Sequence, residues 1–269
     1  MKKFCLLLLS ASLLISSCGG PDKPANGDTN EGPRTPSISY SIVASYPHDT
    51  SSFTQGLAFY NGKLFEGTGN YDRSKLLEID LQTGRPVREV KLDPKHFGEG
   101  ITILNDTIYQ LTWQEHVVHV YTAKDFKKVK ELNLKTEGWG ITNDSTHLIV
   151  TDGSSNLYFY EPATFRLLRV QAVVENGSPA VNLNEIEFIN GHVYANQWQY
   201  NYILKIDPNS GQVVGKIDLT NEVNRLKTKI PDMDAKGAYL NGIAYNPQNN
   251  KIYVTGKNWP EMLEIQFAH

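Results

Sequence analysis

One short phrase recurs five times along the 269-residue chain and restricts what the chain can fold into. Each copy starts with a variable polar or aromatic residue, continues with Gly or Glu, and then alternates apolar residues with others. The leading residues of the five copies are Gln55, Glu99, Trp139, Asn184 and Asn241. Successive copies lie about 40 to 60 residues apart, a spacing typical of repeat architectures such as propeller blades. The recurrence predicts five copies of one structural unit.

Each copy contains the sequence signals of four strands. A turn follows the leading phrase, as at Asn61-Gly62, and a second strand follows the turn. Asn-Gly favours a tight hairpin because both turn residues adopt a positive φ. Third and fourth strands follow another turn, for example at residues 203–206 and 213–217, and no long segment has a helical period. The pattern predicts an all-β, five-bladed β-propeller of four-stranded antiparallel blades. A β-sandwich is the alternative fold, but it does not explain the recurring phrase.

The fifth copy stops after its third strand, which runs from Met262 to Phe267. Residues 39–43 have strand character but no partner of their own. We expect this N-terminal strand to complete the fifth blade, close the ring and remove an exposed edge. A short helix at residues 221–229 accounts for the long spacing between the fourth and fifth copies. The propeller domain is thus predicted to cover residues 38–269.

The N-terminal segment has the features of an export signal. Lys2 and Lys3 precede an apolar run that is too short to cross a bilayer, which requires about twenty apolar residues. Residues 1–17 therefore predict a signal peptide, and its end, Ile15-Ser16-Ser17-Cys18, resembles a bacterial lipoprotein box. We expect Cys18 to be lipidated and to anchor the protein in the cell envelope, facing the periplasm or the surface. An ordinary signal peptide is the alternative. Residues 18–37 contain no long apolar run, which predicts a flexible tether.

Charge and cysteine content exclude several function classes. The formal net charge is −3, and removal of residues 1–17 takes away two lysines, so no nucleic-acid partner is expected. Cys5 lies in the predicted signal, which leaves no free thiol for a disulfide, a metal site or a nucleophile. His116 and His119 are three residues apart on a strand, so their side chains should face opposite sides. Asp72 and Asp152, with the channel carboxylates, are candidates for a structural calcium site.

Propeller geometry predicts where the variable residues meet. The first strand of each blade lines the central channel, so the leading residues should converge at one opening. The second strands end in a matching series, which consists of Gly69, Trp113, Gly153, Trp198 and Lys257. Aromatic walls with a few convergent polar groups are typical of a small-molecule site. Glu99 is the only acid among the five leading residues.

The phrases His96-Phe97-Gly98-Glu99-Gly100 and Leu183-Asn184-Glu185-Ile186-Glu187 resemble those of the plant and bacterial glutamine cyclotransferase family. The resemblance extends from about Tyr46 to Phe267. It implies a five-bladed propeller that converts the N-terminal Gln of peptides or proteins to pyroglutamate and releases ammonia, without a catalytic cofactor or metal. It also implies that Glu99 is the catalytic acid. The pocket residues implied by the resemblance are Phe53, Gln55, Trp113, Trp139, Asn184, Trp198 and Lys257.

One carboxylate can carry out both proton transfers that cyclisation requires. The attacking amine must lose a proton and the leaving nitrogen must gain one, and Glu99 can serve both steps. We expect indole N–H groups and the amides of Gln55, Asn184 and Asn241 to bind the γ-oxygen as it gains charge. Lys257 either holds a substrate carbonyl or pairs with Glu99. Two other functions stay open: a non-enzymatic propeller that binds peptides or glycans, and a metal-dependent lactonase or hydrolase.

Overall fold

The five copies of the recurring phrase begin the innermost strands of five antiparallel four-stranded sheets. The computed structural model describes residues 34–269. Its first strand is β1 (Tyr40–Pro47). Blades 1 to 3 follow, each built from the channel outward. Blade 1 contains β2 (Thr54–Tyr60), β3 (Lys63–Thr68), β4 (Lys75–Asp80) and β5 (Arg85–Lys91); blade 2 contains β6 (Gly98–Leu104), β7 (Thr107–Thr112), β8 (Val117–Thr122) and β9 (Lys128–Asn133); blade 3 contains β10 (Ile141–Asn143), β11 (Leu148–Val150), β12 (Asn156–Tyr160) and β13 (Leu167–Ala172).

A small hairpin and a helix interrupt the repeat in the second half of the chain. The hairpin consists of β14 (Val174–Glu175) and β15 (Ser178–Pro179), and the helix is α1 (Thr220–Lys227). The strands of the last two blades are β16 (Leu183–Ile189), β17 (His192–Gln197), β18 (Tyr202–Ile206) and β19 (Val213–Asp218) in blade 4, and β20 (Leu240–Asn246), β21 (Lys251–Gly256) and β22 (Glu261–Phe267) in blade 5. The all-β, five-bladed propeller predicted from the sequence is confirmed, and the β-sandwich alternative is wrong.

The ring is closed by β1, which forms the outermost strand of blade 5. It pairs antiparallel with β22, and Tyr40 lies opposite Phe267. The Tyr46 hydroxyl donates a hydrogen bond to Glu264 Oε2 at 2.8 Å, which adds a side-chain contact to the strand pairing. The predicted closure by an N-terminal strand is therefore observed, and the strand continues to Pro47, beyond the predicted residues 39–43.

The glycine of the recurring phrase lies where neighbouring inner strands touch. A Cβ atom on Gly56 would lie 2.4 Å from the Ile101 nitrogen, and one on Gly140 would lie 2.2 Å from the Asn184 carbonyl oxygen. Gly100 is equally close to blade 3. Only glycine permits such an approach of two backbones. The recurring glycine therefore sets the spacing of blades 1 to 4 around the channel.

The fourth copy of the phrase has Glu185 in place of glycine, and this side chain joins other blades across the channel. Its carboxylate accepts N–H hydrogen bonds from Leu57 at 3.3 Å and from Ile243 at 2.8 Å. Glu187 accepts one from the Tyr245 N–H at 3.0 Å. Burial raises the pKa of Glu185 well above its ordinary value and that of Glu187 to about 8. Both carboxyl groups thus join neighbouring blades through hydrogen bonds.

The helix α1 packs beside blade 5, close to the predicted position 221–229. Its buried residues are Val223 and Leu226. Arg225 donates hydrogen bonds through both terminal nitrogens to Glu261 at the start of β22, at 3.2 and 2.9 Å. These contacts hold the inserted segment against the fifth blade.

The predicted signal peptide (1–17), Cys18 and most of the predicted tether (18–37) lie outside the described residues. Within residues 34–269, no helix is long and apolar enough to cross a membrane.

Candidate active site

The leading residues of four blades line one cavity of about 350 Å³ at an end of the channel. Gln55 lies on β2, Glu99 on β6 and Asn184 on β16, while Trp139 directly precedes β10. The predicted pocket residues that complete the lining are Phe53, Trp113, Trp198 and Lys257. Eight of the nine residues predicted for the site therefore meet at one place, because equivalent positions of the repeat lie at equivalent heights in the ring.

Asn241, the ninth predicted residue, does not line the cavity. It is fully buried behind Gln55, and its Nδ2 donates hydrogen bonds to Gln55 Oε1 at 3.1 Å and to the Thr54 carbonyl oxygen at 2.9 Å. Its amide is turned toward blade 1 because the inner strands of blades 5 and 1 lie side by side, with Gly242 against Leu57. The expectation that Asn241 touches the γ-oxygen therefore does not fit its position. It holds the Gln55 amide instead.

Glu99 lies at the buried end of the cavity and is only 5% exposed. Gln55 Nε2 donates a hydrogen bond to its Oε1 at 3.1 Å. Burial raises the pKa of Glu99 well above its ordinary value, and the charges of Glu115 and Glu137 raise it further, whereas that of Lys257 opposes them. A carboxyl group with a raised pKa can both take up and release a proton near neutral pH.

Lys257 follows β21 and is as buried as Glu99. Its Nζ lies 4.8 Å from the centre of the Phe53 ring, a cation–π arrangement. Burial lowers the pKa of Lys257 to about 8, and the charge of Glu99 opposes that change. Within residues 34–269 no direct ion pair joins Lys257 to Glu99, although both side chains line the same cavity. The Lys257 ammonium group is therefore placed to meet a group bound in the cavity.

Two tryptophans of the wall share one carboxylate oxygen. Trp113 Nε1 and Trp139 Nε1 donate hydrogen bonds to Glu137 Oε2 at 2.9 and 3.0 Å. These indole N–H groups are thus engaged, contrary to the expectation that they bind the substrate oxygen. Trp198 stands edge-on to Trp139, with ring centres 5.7 Å apart. Glu137 therefore fixes the orientation of both rings. This role was not predicted from the sequence, and the signal that could have indicated it is the position of Glu137 directly before Gly138-Trp139.

Four further lining residues were not predicted. Phe97, in the phrase that contains Glu99, and Asn70 come from blades already assigned to the site, whereas Gly237 and Tyr239 belong to the segment between α1 and β20. Since this segment has no counterpart in the other blades, comparison of the repeats gave no signal for it.

The histidines and acids considered for metal binding do not come together. His116 Nδ1 contacts the Thr136 carbonyl oxygen at 2.9 Å, whereas His119 Nε2 contacts His96 Nδ1, so the two imidazoles diverge. No group of three or more His, Cys, Asp or Glu side chains in residues 34–269 is arranged to hold a metal ion. The donor set expected around Asp72 and Asp152 for calcium is therefore not assembled in the described part of the chain.

A family model, a curated relative and a solved structure that resemble this chain all carry related names. A family model described as glutamine cyclotransferase matches residues 11–267. The chain is 37% identical over 229 residues to a glutaminyl-peptide cyclotransferase of Arabidopsis thaliana, which covers 84% of this chain and 70% of the relative. It is also similar to the crystal structure of Myxococcus xanthus glutaminyl cyclase, with 33% identity and a TM-score of 0.81 over 87% of this chain and 98% of the other. The family match spans all five blades.

Proposed function

The chain belongs to the glutamine cyclotransferase family, and we propose that it is a glutaminyl-peptide cyclotransferase in which Glu99 is the only group that transfers protons. Its substrates are peptides or proteins with an N-terminal Gln, and its products are the pyroglutamyl peptide and ammonia. The observation that carries the proposal is the burial of Glu99 in an aromatic cavity that it shares with an amide, Asn184, and an ammonium group, Lys257.

The reaction joins two groups of one residue. The α-amine nitrogen attacks the carbon of the γ-carboxamide, a C–N bond forms, and the γ-oxygen becomes negatively charged. Glu99 takes a proton from the attacking nitrogen and gives it to the carboxamide nitrogen, whose C–N bond then breaks to release ammonia. Its raised pKa suits both steps, and the hydrogen bond from Gln55 keeps one carboxylate oxygen oriented.

The remaining polar groups of the cavity act on the γ-oxygen. Asn184 and Lys257 supply an amide donor and a positive charge, which are most effective at an oxyanion in a site from which water is excluded. Of the two roles left open for Lys257, this arrangement favours contact with the substrate, since Lys257 has no direct ion pair with Glu99. Trp113, Trp139 and Trp198 exclude water and hold the Gln side chain in its cyclising conformation.

Ammonia release from Gln-Ala-amide tests the proposal. We expect steady release by the full chain, with kcat reduced at least about 100-fold in Glu99→Gln, which keeps the shape but cannot exchange a proton. Glu89→Gln, an identical change on the outer strand β5, is the control and should leave kcat unchanged. Wild-type turnover in Glu99→Gln would refute the proton-transfer role even if the activity is real.

The alternatives predict different outcomes of the same assay. A binding propeller would retain the peptide without releasing ammonia. A metal-dependent enzyme would lose turnover after treatment with a chelator and regain it with added metal. We propose that turnover is independent of chelators, because a single carboxylate satisfies both proton transfers.

We also propose that the protein is an exported lipoprotein held in the cell envelope through Cys18. The support is the order of its N-terminal signals: two lysines, a short apolar run and the Ile15-Ser16-Ser17-Cys18 sequence. Labelling with radioactive palmitate in the native host tests this. We expect incorporation in the wild type and none in Cys18→Ala, and equal labelling of both would contradict lipidation.

A further inference from the structure

A second groove adjoins the active-site cavity. It passes between blade 1 and the segment that follows α1, and Phe53 and Asn70 line both the cavity and the groove. Asn258, whose Nδ2 donates a hydrogen bond to the Thr50 carbonyl oxygen at 2.9 Å, forms part of its wall. The cavity and the groove therefore meet at Phe53 and Asn70, which places the groove beside the residues that follow a first residue bound in the cavity.

The groove is positively charged. Arg73, Lys229 and Lys236 line it, and no carboxylate is among its lining residues. Lys229 forms an ion pair with Glu261. Arg73 and Lys236 are exposed, and neither forms an ion pair with any residue of the described range 34–269. Among residues 34–269, these two cationic side chains line the groove without a partner of opposite charge, in a protein whose formal net charge is −3.

Two acidic side chains close to the cavity come from blade 2 and from the link between blades 2 and 3. Glu115 accepts hydrogen bonds from the Tyr71 hydroxyl at 3.0 Å and from the Phe97 N–H at 3.3 Å. Glu137 accepts hydrogen bonds from Trp113 and Trp139. The field at the groove therefore attracts anionic groups toward Arg73 and Lys236.

We infer that this groove is a subsite for the residues that follow the N-terminal Gln, and that it selects acidic side chains through Arg73 and Lys236. The inference rests on the proposed function, since the first residue must occupy the cavity. An extended peptide advances about 3.3 to 3.6 Å per residue, and the groove shares Phe53 and Asn70 with the cavity, so the residues directly after the Gln are the ones that meet the groove. The enzyme thereby distinguishes substrates by charge outside the residue that reacts.

Three peptides test the inference with the full chain. They are Gln-Glu-Glu-Ala-amide, Gln-Gln-Gln-Ala-amide and Gln-Lys-Lys-Ala-amide, all amidated so that no terminal carboxylate competes. We expect kcat/KM for ammonia release to decrease in that order, with about a three- to tenfold difference between the first and the last at low salt, as two exposed charge pairs allow. The difference should shrink in 0.5 M NaCl, where charges on the surface are screened.

Paired variants locate the effect. Arg73→Gln combined with Lys236→Gln should remove most of the preference and leave kcat/KM for Gln-Ala-amide unchanged. Lys124→Gln combined with Lys127→Gln is the matched control, because it removes two equally exposed cations at the turn between β8 and β9 and should keep the preference.

The possible failures are distinguishable. No ammonia from any peptide, Gln-Ala-amide included, would overturn the proposed function. Equal kcat/KM for the three charged and neutral peptides would overturn only the subsite. If the preference for acidic peptides disappears equally in the Arg73/Lys236 and Lys124/Lys127 double variants, the effect is one of net charge, and the subsite is also overturned.

Discussion

Glu99 and Glu137 lie at the same cavity, but their surroundings affect the two carboxyl groups in opposite ways. Burial dominates at Glu99 and raises its pKa. At Glu137 burial alone would raise the pKa, but hydrogen bonds from Trp139, Gln114 and Trp113 hold it below the ordinary value. One carboxyl group can therefore exchange a proton, while the other stays charged and holds the aromatic wall.

Glu137→Gln tests this division of roles. The variant keeps the side-chain shape but removes the charge that accepts two indole N–H bonds, and hydrogen bonds to charged groups contribute about 1.5 to 3 kcal/mol each. We expect kcat/KM for Gln-Ala-amide to fall about tenfold or more, mainly through KM, together with a change in tryptophan fluorescence. Unaltered kinetics and fluorescence would contradict a positioning role.

The pH profile of Lys257→Met tests the coupling between Lys257 and Glu99. In the wild type, kcat/KM should rise with pH as Glu99 and the substrate amine lose protons, and fall as Lys257 deprotonates near its pKa of about 8. The Lys257 charge lowers the pKa of Glu99, so its removal should move the acid limb to higher pH. The same substrate amine titrates in both profiles, so the difference between them reports the enzyme. An unshifted acid limb would refute the coupling.

The sequence predicted the lining residues that lie at repeated positions, but it also placed Asn241 among them and did not predict Tyr239. Glu99 and Trp113 occupy positions set by strand register, which is readable from the pattern. The turn of the Asn241 amide toward Gln55 depends on how blade 5 meets blade 1, nearly 190 residues away along the chain. Tyr239 lies in an insertion without a counterpart. Non-local packing and unrepeated segments thus limited the prediction of the site.

At the level of elements, the inner strands are held at a distance that only glycine allows. Gly56, Gly100 and Gly140 each face the backbone of the next blade, so this position is glycine in blades 1 to 3, while blade 4 has Glu185 there. The pattern predicted strands well because alternation and turns are local signals. It predicted α1 at 221–229 instead of Thr220–Lys227, and it did not predict the short hairpin β14–β15, which bridges to Gln212 of blade 4.

Gly140→Ala should destabilise the protein because the added methyl group meets the Asn184 carbonyl oxygen, which belongs to a rigid backbone. We expect a loss of about 1 to 3 kcal/mol in the free energy of unfolding, measured by denaturant titration. Gly215→Ala is the control, since its methyl group meets the Ile38 and Lys205 side chains and no backbone atom, and the end of the Ile38 side chain can move. Equal stability of the two variants would show that the inner strands can move apart.

At the level of the whole molecule, the pairing of β1 with β22 completes the fifth blade. Without β1, the outer edge of blade 5 would present unpaired backbone groups to other chains. Closure of the ring was predictable because the fifth copy lacks its fourth strand, while one strand at the N-terminal end has no partner in the pattern. The length of β1 was not, since its pairing partner, rather than its own composition, determines where it ends.

Deletion of residues 40–46 should remove this closure. We expect a lower midpoint of denaturant unfolding and oligomers that increase with protein concentration, seen by size-exclusion chromatography. Deletion of residues 24–30, equal in length and within the predicted tether, should change neither. A monomer of wild-type stability after deletion of 40–46 would contradict the role of β1.

The closure also has a consequence for the order in which the chain is made. Tyr46 and its hydrogen-bond partner Glu264 are 218 residues apart, so β1 is among the first strands synthesised and β22 is the last. At about 5 to 20 residues per second, β1 waits roughly 10 to 40 seconds for its partner. Blade 5 therefore cannot complete its sheet until β22 has been synthesised. Until then the chain carries an unpaired strand at its start, to which strand edges of other chains can pair.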